Sequence, residues 1–193
     1  MNFILLIISS AIINNLVLTQ FLGLCPFFGV SKKLSSSVGM GIAVVFVMTV
    51  SSAASNLIYH LLLARFGIEY LHLIAFILTI ASLVQFLDIM LKKTSPALYS
   101  SLGIFLPLMT TNCMILGVAI SNMAGGHTFL DSIARGVGGG FGFFIAIVVF
   151  SGLRVRLDRC KHVPKSFQGF PIALIAASLM SLVFMGFYGL FPI

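Results

Sequence analysis

Charge is what this chain lacks most. Only 8% of its 193 residues are charged while 60% are hydrophobic, which argues against a water-soluble domain and for a polytopic membrane protein. Acid is scarcer still. Glu69, Asp88, Asp131 and Asp158 are the whole supply, and each lies near the end of an apolar stretch or in a loop. A proton or sodium pump working through a buried carboxylate of this chain alone is therefore not expected. Asp88 precedes Lys92 by four residues, which is the spacing of an interfacial helix pair. The thiols are limited to Cys25, Cys113 and Cys160. Histidine gives no metal-ligand spacing: His60 and His72 end apolar stretches, and His127 and His162 fall in loops.

The gaps between charges mark the spans, because a helix needs about 20 apolar residues to cross the hydrocarbon layer. Six candidate helices follow, at roughly 3–23, 38–60, 70–90, 100–122, 132–152 and 170–190. One integral membrane domain thus covers residues 1–193, an all-α fold. The apolar start has no basic region or small-residue cleavage site, so it reads as a retained first span rather than a removed signal peptide. Loops one, three and five carry nine of the eleven basic residues: Lys32, Lys33, Lys92, Lys93, Arg154, Arg156, Arg159, Lys161 and Lys165. The positive-inside rule makes those loops cytoplasmic and puts both termini on the other side. The net charge of +7 is then a topology signal, and a nucleic-acid partner has no basic face to bind.

Three spans per half send the second half into the membrane from the opposite side. Residues of about 1–93 and 94–193 are therefore candidates for two inverted three-helix repeats, an arrangement in which interrupted helices meet near the midplane. Cys25 and Cys113 stand at matching points, each followed by three residues and then Gly-Val. Pro26 is expected to disfavour helical geometry at Cys25, with Gly23 and Gly29 adding backbone freedom. In the second half Pro107 lies six residues before Cys113, with Gly103 and Gly117 flanking. Helices one and four are thus the ones expected to be interrupted, and freed backbone groups there must line a protein interface rather than lipid. Small residues recur at Gly39, Gly41, Ser51–Ser55 and Gly136–Gly140, a pattern that reads first as tight helix packing.

Asn14 and Asn15 are costly in lipid and need partners; with Gln20 and Asn112 they are placed to order the backbone around the cysteines. A lone membrane cysteine is usually an inert apolar residue. Two at corresponding interrupted helices suggest a site, with a disulfide as the competing reading. Zinc and iron–sulfur centres both take four ligands, commonly cysteine. Redox-inert zinc has no evident use at the midplane, whereas an iron–sulfur cluster divides a long electron path into shorter hops. Cys160 falls in the cytoplasmic loop of residues 154–165, so this chain offers two metal ligands, Cys25 and Cys113, and a second polypeptide must offer the others.

The runs Asn14-Asn15-Leu16-Val17-Leu18, Phe21 to Lys33, Leu106 to Cys113, Lys92-Lys93-Thr94-Ser95-Pro96 and Ala173 to Gly186 closely resemble the RnfA/NqrE family of membrane subunits. Cys-Pro-Phe-Phe-Gly-Val and Ile-Leu-Gly-Val-Ala-Ile fit its Rnf branch better than the branch of sodium-pumping NADH:quinone reductases, which stays as an alternative. The resemblance implies a bacterial inner-membrane protein and a 2Fe-2S cluster shared with a paralogous six-helix partner, RnfE, with Cys25 and Cys113 as this side's ligands. It also implies a larger complex, with RnfB, RnfC, RnfD and RnfG, that resembles ferredoxin:NAD⁺ oxidoreductases coupling electron flow to sodium or proton translocation. On that reading the chain is part of a translocase and is not active alone. Two rivals remain: a secondary transporter, since inverted repeats with interrupted helices suit one equally well, and a structural subunit with inert thiols.

Overall fold

The computed structural model describes residues 7, 10–11, 15–63, 69–94, 110–159, 164 and 167–188. Among these, the chain is helical, with no strand. The helices are α1 (Leu16–Thr19), α2 (Leu24–Val30), α3 (Leu34–Ile58), α4 (His72–Thr94), α5 (Cys113–Ala124), α6 (Phe129–Asp158) and α7 (Phe170–Tyr188). A π-helical turn, Tyr59–Leu63, prolongs α3, and a 3-10 turn, Glu69–Leu71, leads into α4. Three helices, α3, α4 and α6, are long and apolar enough to cross a membrane, and α5 and α7 are shorter apolar helices. At 30 residues α6 runs about 45 Å, longer than the hydrocarbon layer is thick. Arg154, Arg156 and Asp158 therefore belong to this helix, not to a loop. Asn14, Arg65, Gly103, Pro107, Cys160 and His162, and with them part of the expected loop five and the start of the fourth span, lie outside the described residues.

The outer surface is as apolar as the hydrophobic core, and polar groups are sequestered between helices. Large apolar side chains such as Ile42, Phe46, Leu78, Phe86, Leu182 and Val183 are exposed, while Ser37, Ser51, Ser52, Ser55, Asn56, Asn122, Ser132, Ser151 and Arg154 are buried. Lipid is as apolar as leucine, so the hydrophobic effect gives helices no reason to associate; close backbone approach and interhelical hydrogen bonds do. The centre of the structure is the α3–α6 pair. Gly136 and Gly140, four apart, form a row against α3: a Cβ at Gly136 would lie 2.8 Å from Ser52 Cβ, and one at Gly140 would lie 2.8 Å from Val45 Cα. Gly138 and Gly142 form a second row against the first span, where added Cβ atoms would lie 2.8 Å from the carbonyl oxygens of Ile7 and Ala11. The glycine run is thus a packing device with two faces. From Gly136 against Ser52 to Phe144 against Gly41 the contacts climb one helix and descend the other, so α3 and α6 are antiparallel.

The remaining contacts pair off. Helix α3 packs on α5 as α6 packs on α1; α4 packs on α5 as α7 packs on α1; α3 touches α4 as α6 touches α7; and α3 meets α2 as α6 meets α5. Side-chain bonds follow the same exchange: Asn15 Nδ2 donates to Gly142 O across α1–α6 at 3.0 Å, and Asn122 Nδ2 donates to Ser52 Oγ across α5–α3 at 2.8 Å. The α3–α5, α6–α1, α4–α5 and α7–α1 contacts and the antiparallel central pair join the elements of residues 15–94 to those of residues 110–188.

Because Gly140 abuts backbone rather than a flexible side-chain tip, Gly140→Ala should cost about 1–3 kcal/mol through overpacking. Gly152, in the same helix with open space around its added Cβ, is the control. Thermal unfolding of the purified protein should show a lower midpoint for Gly140→Ala and no loss for Gly152→Ala.

Candidate functional site

The first span does break, but not where proline suggests. After α1 the chain turns through Phe21 (φ 56°) and Gly23 (φ 84°), both left-handed, and α2 then starts at Leu24. Cys25 and Pro26 are the second and third residues of that helix. Proline is tolerated there because amides of a first helical turn have no intrahelical acceptor anyway. The interruption is therefore made by the left-handed residues upstream, and Pro26 begins the second half-helix instead of ending the first. Gly29 lies inside α2, not at a break. Phe21 carries real strain, since its Cβ gains nothing from a left-handed backbone.

Gly23 joins the two halves of the chain. Its amide N–H donates to Cys113 Sγ at 2.9 Å. A Cβ at Gly23 would lie 3.2 Å from Met114 Cβ and 3.5 Å from Asn112 Oδ1. Only glycine meets both demands, the positive φ and the contact with residues 112–114. Cys25 is two residues along, at most about 7 Å of extended backbone from the Gly23 position. The two cysteine motifs are thus brought together, and both thiols are free, so no disulfide joins them.

Each half-helix start is built around an asparagine. Asn112 caps α5: its Oδ1 accepts from Met114 N at 3.1 Å, leaving Cys113 as the first helical residue. Asn15 caps α1 in the same way, accepting from Val17 N at 3.2 Å while its amide donates to Ala11 O and Gly142 O. Asn15 thus has the pairings the sequence demands of an asparagine in lipid, whereas Asn112 has its oxygen paired and its Nδ2 buried without a partner. Gln20, by contrast, is exposed.

The second half-helix, α2, is short and needs outside support. Phe27 is fully buried and stacks on Phe150 with ring centroids 4.4 Å apart, and Phe28 meets Phe150 and Phe170 edge-on or tilted. Arg154 completes the support. It is 6% exposed, and its Nη1 donates to Phe28 O at 2.9 Å and to Ser31 Oγ at 2.8 Å. The guanidinium satisfies a carbonyl left over at the end of α2 and sets positive charge against the negative end of that helix. Arg154 reads in the sequence as a loop charge. A better signal is present: Phe143, Ile147, Phe150 and Arg154 follow helical spacing, and all four are buried.

The faces of the two motifs differ. Cys25 is exposed and Cys113 half-buried. Gly29, one turn after Cys25, has nothing within 4 Å of an added Cβ, whereas a Cβ at its counterpart Gly117 would lie 2.7 Å from Leu22 Cδ1. Cys25 and Gly29 thus form a flat, open strip on α2. Among the described residues no group of three or more His, Cys, Asp or Glu side chains is placed to hold a metal. The donor set is two cysteines with an amide N–H on one sulfur, which fits a thiolate centre completed from outside the chain. At the far end of α5, His127 sits in the connecting loop with its imidazole held below the usual histidine range, first by burial, then by the nearby Arg135 charge, with Asp131 pulling the other way.

Two substitutions test this scaffold. Asn112→Ala removes a cap and should cost about 1 kcal/mol. Arg154→Gln breaks charge-assisted bonds to a buried carbonyl and hydroxyl and should cost more, about 1.5–3 kcal/mol. Thermal unfolding should rank Arg154→Gln below Asn112→Ala, with exposed Lys32→Gln within about 0.5 kcal/mol of the parent.

Comparison with known proteins adds to this geometry. Residues 3–191 match the family described as "Rnf-Nqr subunit, membrane protein". The chain is 51% identical over 191 residues to the A subunit of the ion-translocating oxidoreductase complex of Syntrophotalea carbinolica, covering 99% of this chain and 98% of that one. It is 49% identical over 190 residues to the A subunit of the Na(+)-translocating ferredoxin:NAD(+) oxidoreductase complex of Acetobacterium woodii, covering 98% of each. It is 53% identical over 188 residues to the A subunit of the ion-translocating oxidoreductase complex of Aliivibrio salmonicida, covering 97% of each. A match of this length and identity leaves one conclusion: the chain belongs to the Rnf-Nqr family of membrane subunits.

Proposed function

We propose that this chain is an A-type, electron-relay subunit of a bacterial inner-membrane Rnf complex, which passes electrons from ferredoxin to NAD⁺ and moves Na⁺ or H⁺ as it does so. Cys25 and Cys113 supply two thiolate ligands to a 2Fe-2S cluster, and the paralogous RnfE supplies two more. RnfB, RnfC, RnfD and RnfG complete the assembly. The observation that carries the reading is the Gly23 amide on Cys113 Sγ, which ties the two cysteine motifs, far apart in sequence, into one locus.

The chain's own residues do four things at that locus. Asn112 fixes the start of α5, so that the Cys113 backbone has one orientation. Gly23 gives the Cys113 sulfur a hydrogen bond, and such bonds stabilise electron density on a thiolate ligand. The helix start at Cys113 faces the sulfur with the positive end of the α5 dipole, which favours a negatively charged centre. The open strip of Cys25 and Gly29 leaves room for another chain to approach. The cluster, when bound, accepts and releases one electron.

The transporter reading finds less support, because the residues brought together at the interruption are thiols and an amide rather than groups suited to a polar substrate. The test is chemical. Iron and acid-labile sulfide should be assayed on the purified complex, with EPR of the reduced sample, for the parent, Cys25→Ser and Cys113→Ser. Either substitution should remove one cluster's iron and its EPR signal while the complex still co-purifies. Unchanged iron and spectrum in both variants would favour inert thiols.

A further inference from the structure

We infer that a buried polar cluster between α3, α5 and α6 is a transit site for a partly dehydrated monovalent metal cation; this rests on the ion-translocating reading above. On α3, Ser51 and Ser55 form one i, i+4 row, and Ser52 and Asn56 form the row beside it. They are 1%, 2%, 2% and 6% exposed. Asn122 of α5 and Ser132 of α6, at 3% and 0%, complete the cluster.

Its hydrogen bonds are one-sided. Asn56 Nδ2 donates to Ser132 Oγ at 2.8 Å and to His127 O at 3.2 Å, Asn122 Nδ2 donates to Ser52 Oγ at 2.8 Å, and Ser52 Oγ donates to Ser132 O. Oxygen is what remains. Asn122 Oδ1, Ser51 Oγ and Ser55 Oγ are buried with no partner. A buried polar atom left unpaired costs about 1–3 kcal/mol, and such a group calls for a water, an ion or a function. Serine in a helix has an easy remedy, a bond to the carbonyl four residues back. Thr49, Thr79 and Ser178 all take it, at 2.8, 2.7 and 3.0 Å. Ser51 and Ser55 do not.

Three spare neutral oxygens, two on one row of α3 and one on the Asn122 amide that bonds the adjacent row, with no ionisable side chain among the six residues, match a weakly held alkali cation rather than a proton, which needs a titratable carrier. Asn122 stands nine residues after Cys113, about 13 Å along α5, so the cluster lies between the cysteine locus and the loop holding His127. By the loop charges that end faces away from the cytoplasm. Just beyond Asn56, α3 changes to π geometry at Tyr59–Leu63, a local widening frequent at functional sites.

The experiment uses the whole complex in proteoliposomes, comparing the parent with the double variant Ser51→Ala/Ser55→Ala. Sodium uptake, electron transfer from ferredoxin to NAD⁺, and the cluster EPR signal are read together. A purely structural cluster loses only unpaired hydroxyls, so it should keep both stability and coupling. A transit site should lose sodium uptake per electron by about tenfold, a change of about 1.4 kcal/mol, with the EPR signal intact. Unchanged uptake per electron, or transport of protons alone in both proteins, overturns the inference. Absence of the EPR signal from the parent complex would instead overturn the cluster reading. Should the double variant fail to assemble, Asn122→Asp keeps the side-chain shape and adds charge. A cation site then shows thermal stabilisation by Na⁺ at lower concentration than the parent, and no Na⁺ dependence in either protein overturns the inference.

Discussion

A helix that stops inside a bilayer leaves amides and carbonyls that lipid cannot satisfy, and the unusual residues of this chain answer that single requirement. The first span stops after Thr19 and resumes at Leu24, and α5 starts at Cys113 behind an asparagine cap. Asn15 and Asn112 supply the missing acceptors at helix starts, and Arg154 supplies the missing donor at the end of α2. The Gly23 amide, freed by the break, finds the Cys113 sulfur. An interruption costs backbone bonds, and here the replacements are the contacts that gather the cysteine motifs.

Support for this arrangement comes from the exchange symmetry of the packing. Helices α3 and α6 form an antiparallel pair held close by the Gly136/Gly140 row, the Gly138/Gly142 row meets the first span, and each interrupted span is clasped by the other half's central helix. The half-helices are therefore positioned largely by the other half of the chain, with fewer contacts to their own neighbours in sequence. Symmetry fails at one informative place. Gly117 receives Leu22, while Gly29, its counterpart, faces open space beside Cys25. In the proposed assembly that strip is where the paralogous partner comes in.

Much of this is legible in the sequence, and the failures have physical causes. Charge-free stretches locate α3, α4 and α7 within a few residues, because burial in lipid tolerates few charges, but they miss the last six residues of α6, which carry charge. The glycine run reads as packing, and packing is what it does. Asn15 and Asn112 read as costly groups needing partners, and each is a helix cap. Pro26 misleads because its effect depends on position: it breaks a helix from within and starts one from its first turn, and nothing in the sequence says that a helix begins at Leu24. A left-handed phenylalanine at position 21 has no local signature at all. Arg154 groups with the loop charges although its register with Phe143, Ile147 and Phe150 points it inward. The serines of α3 look like small packing residues; that the hydroxyl of Ser52 is paired across helices while those of Ser51 and Ser55 are left over emerges only from the structure.

In the proposed complex, two sulfurs of this chain share a centre with sulfurs of another, and that is a matter of position. A density map of the intact complex, collected at the iron edge or by electron cryomicroscopy, tests it most directly. The account predicts compact metal density bounded by Cys25 and Cys113 on one side and two cysteines of a neighbouring polypeptide on the other. Metal elsewhere, or two separated thiols facing lipid, would contradict it.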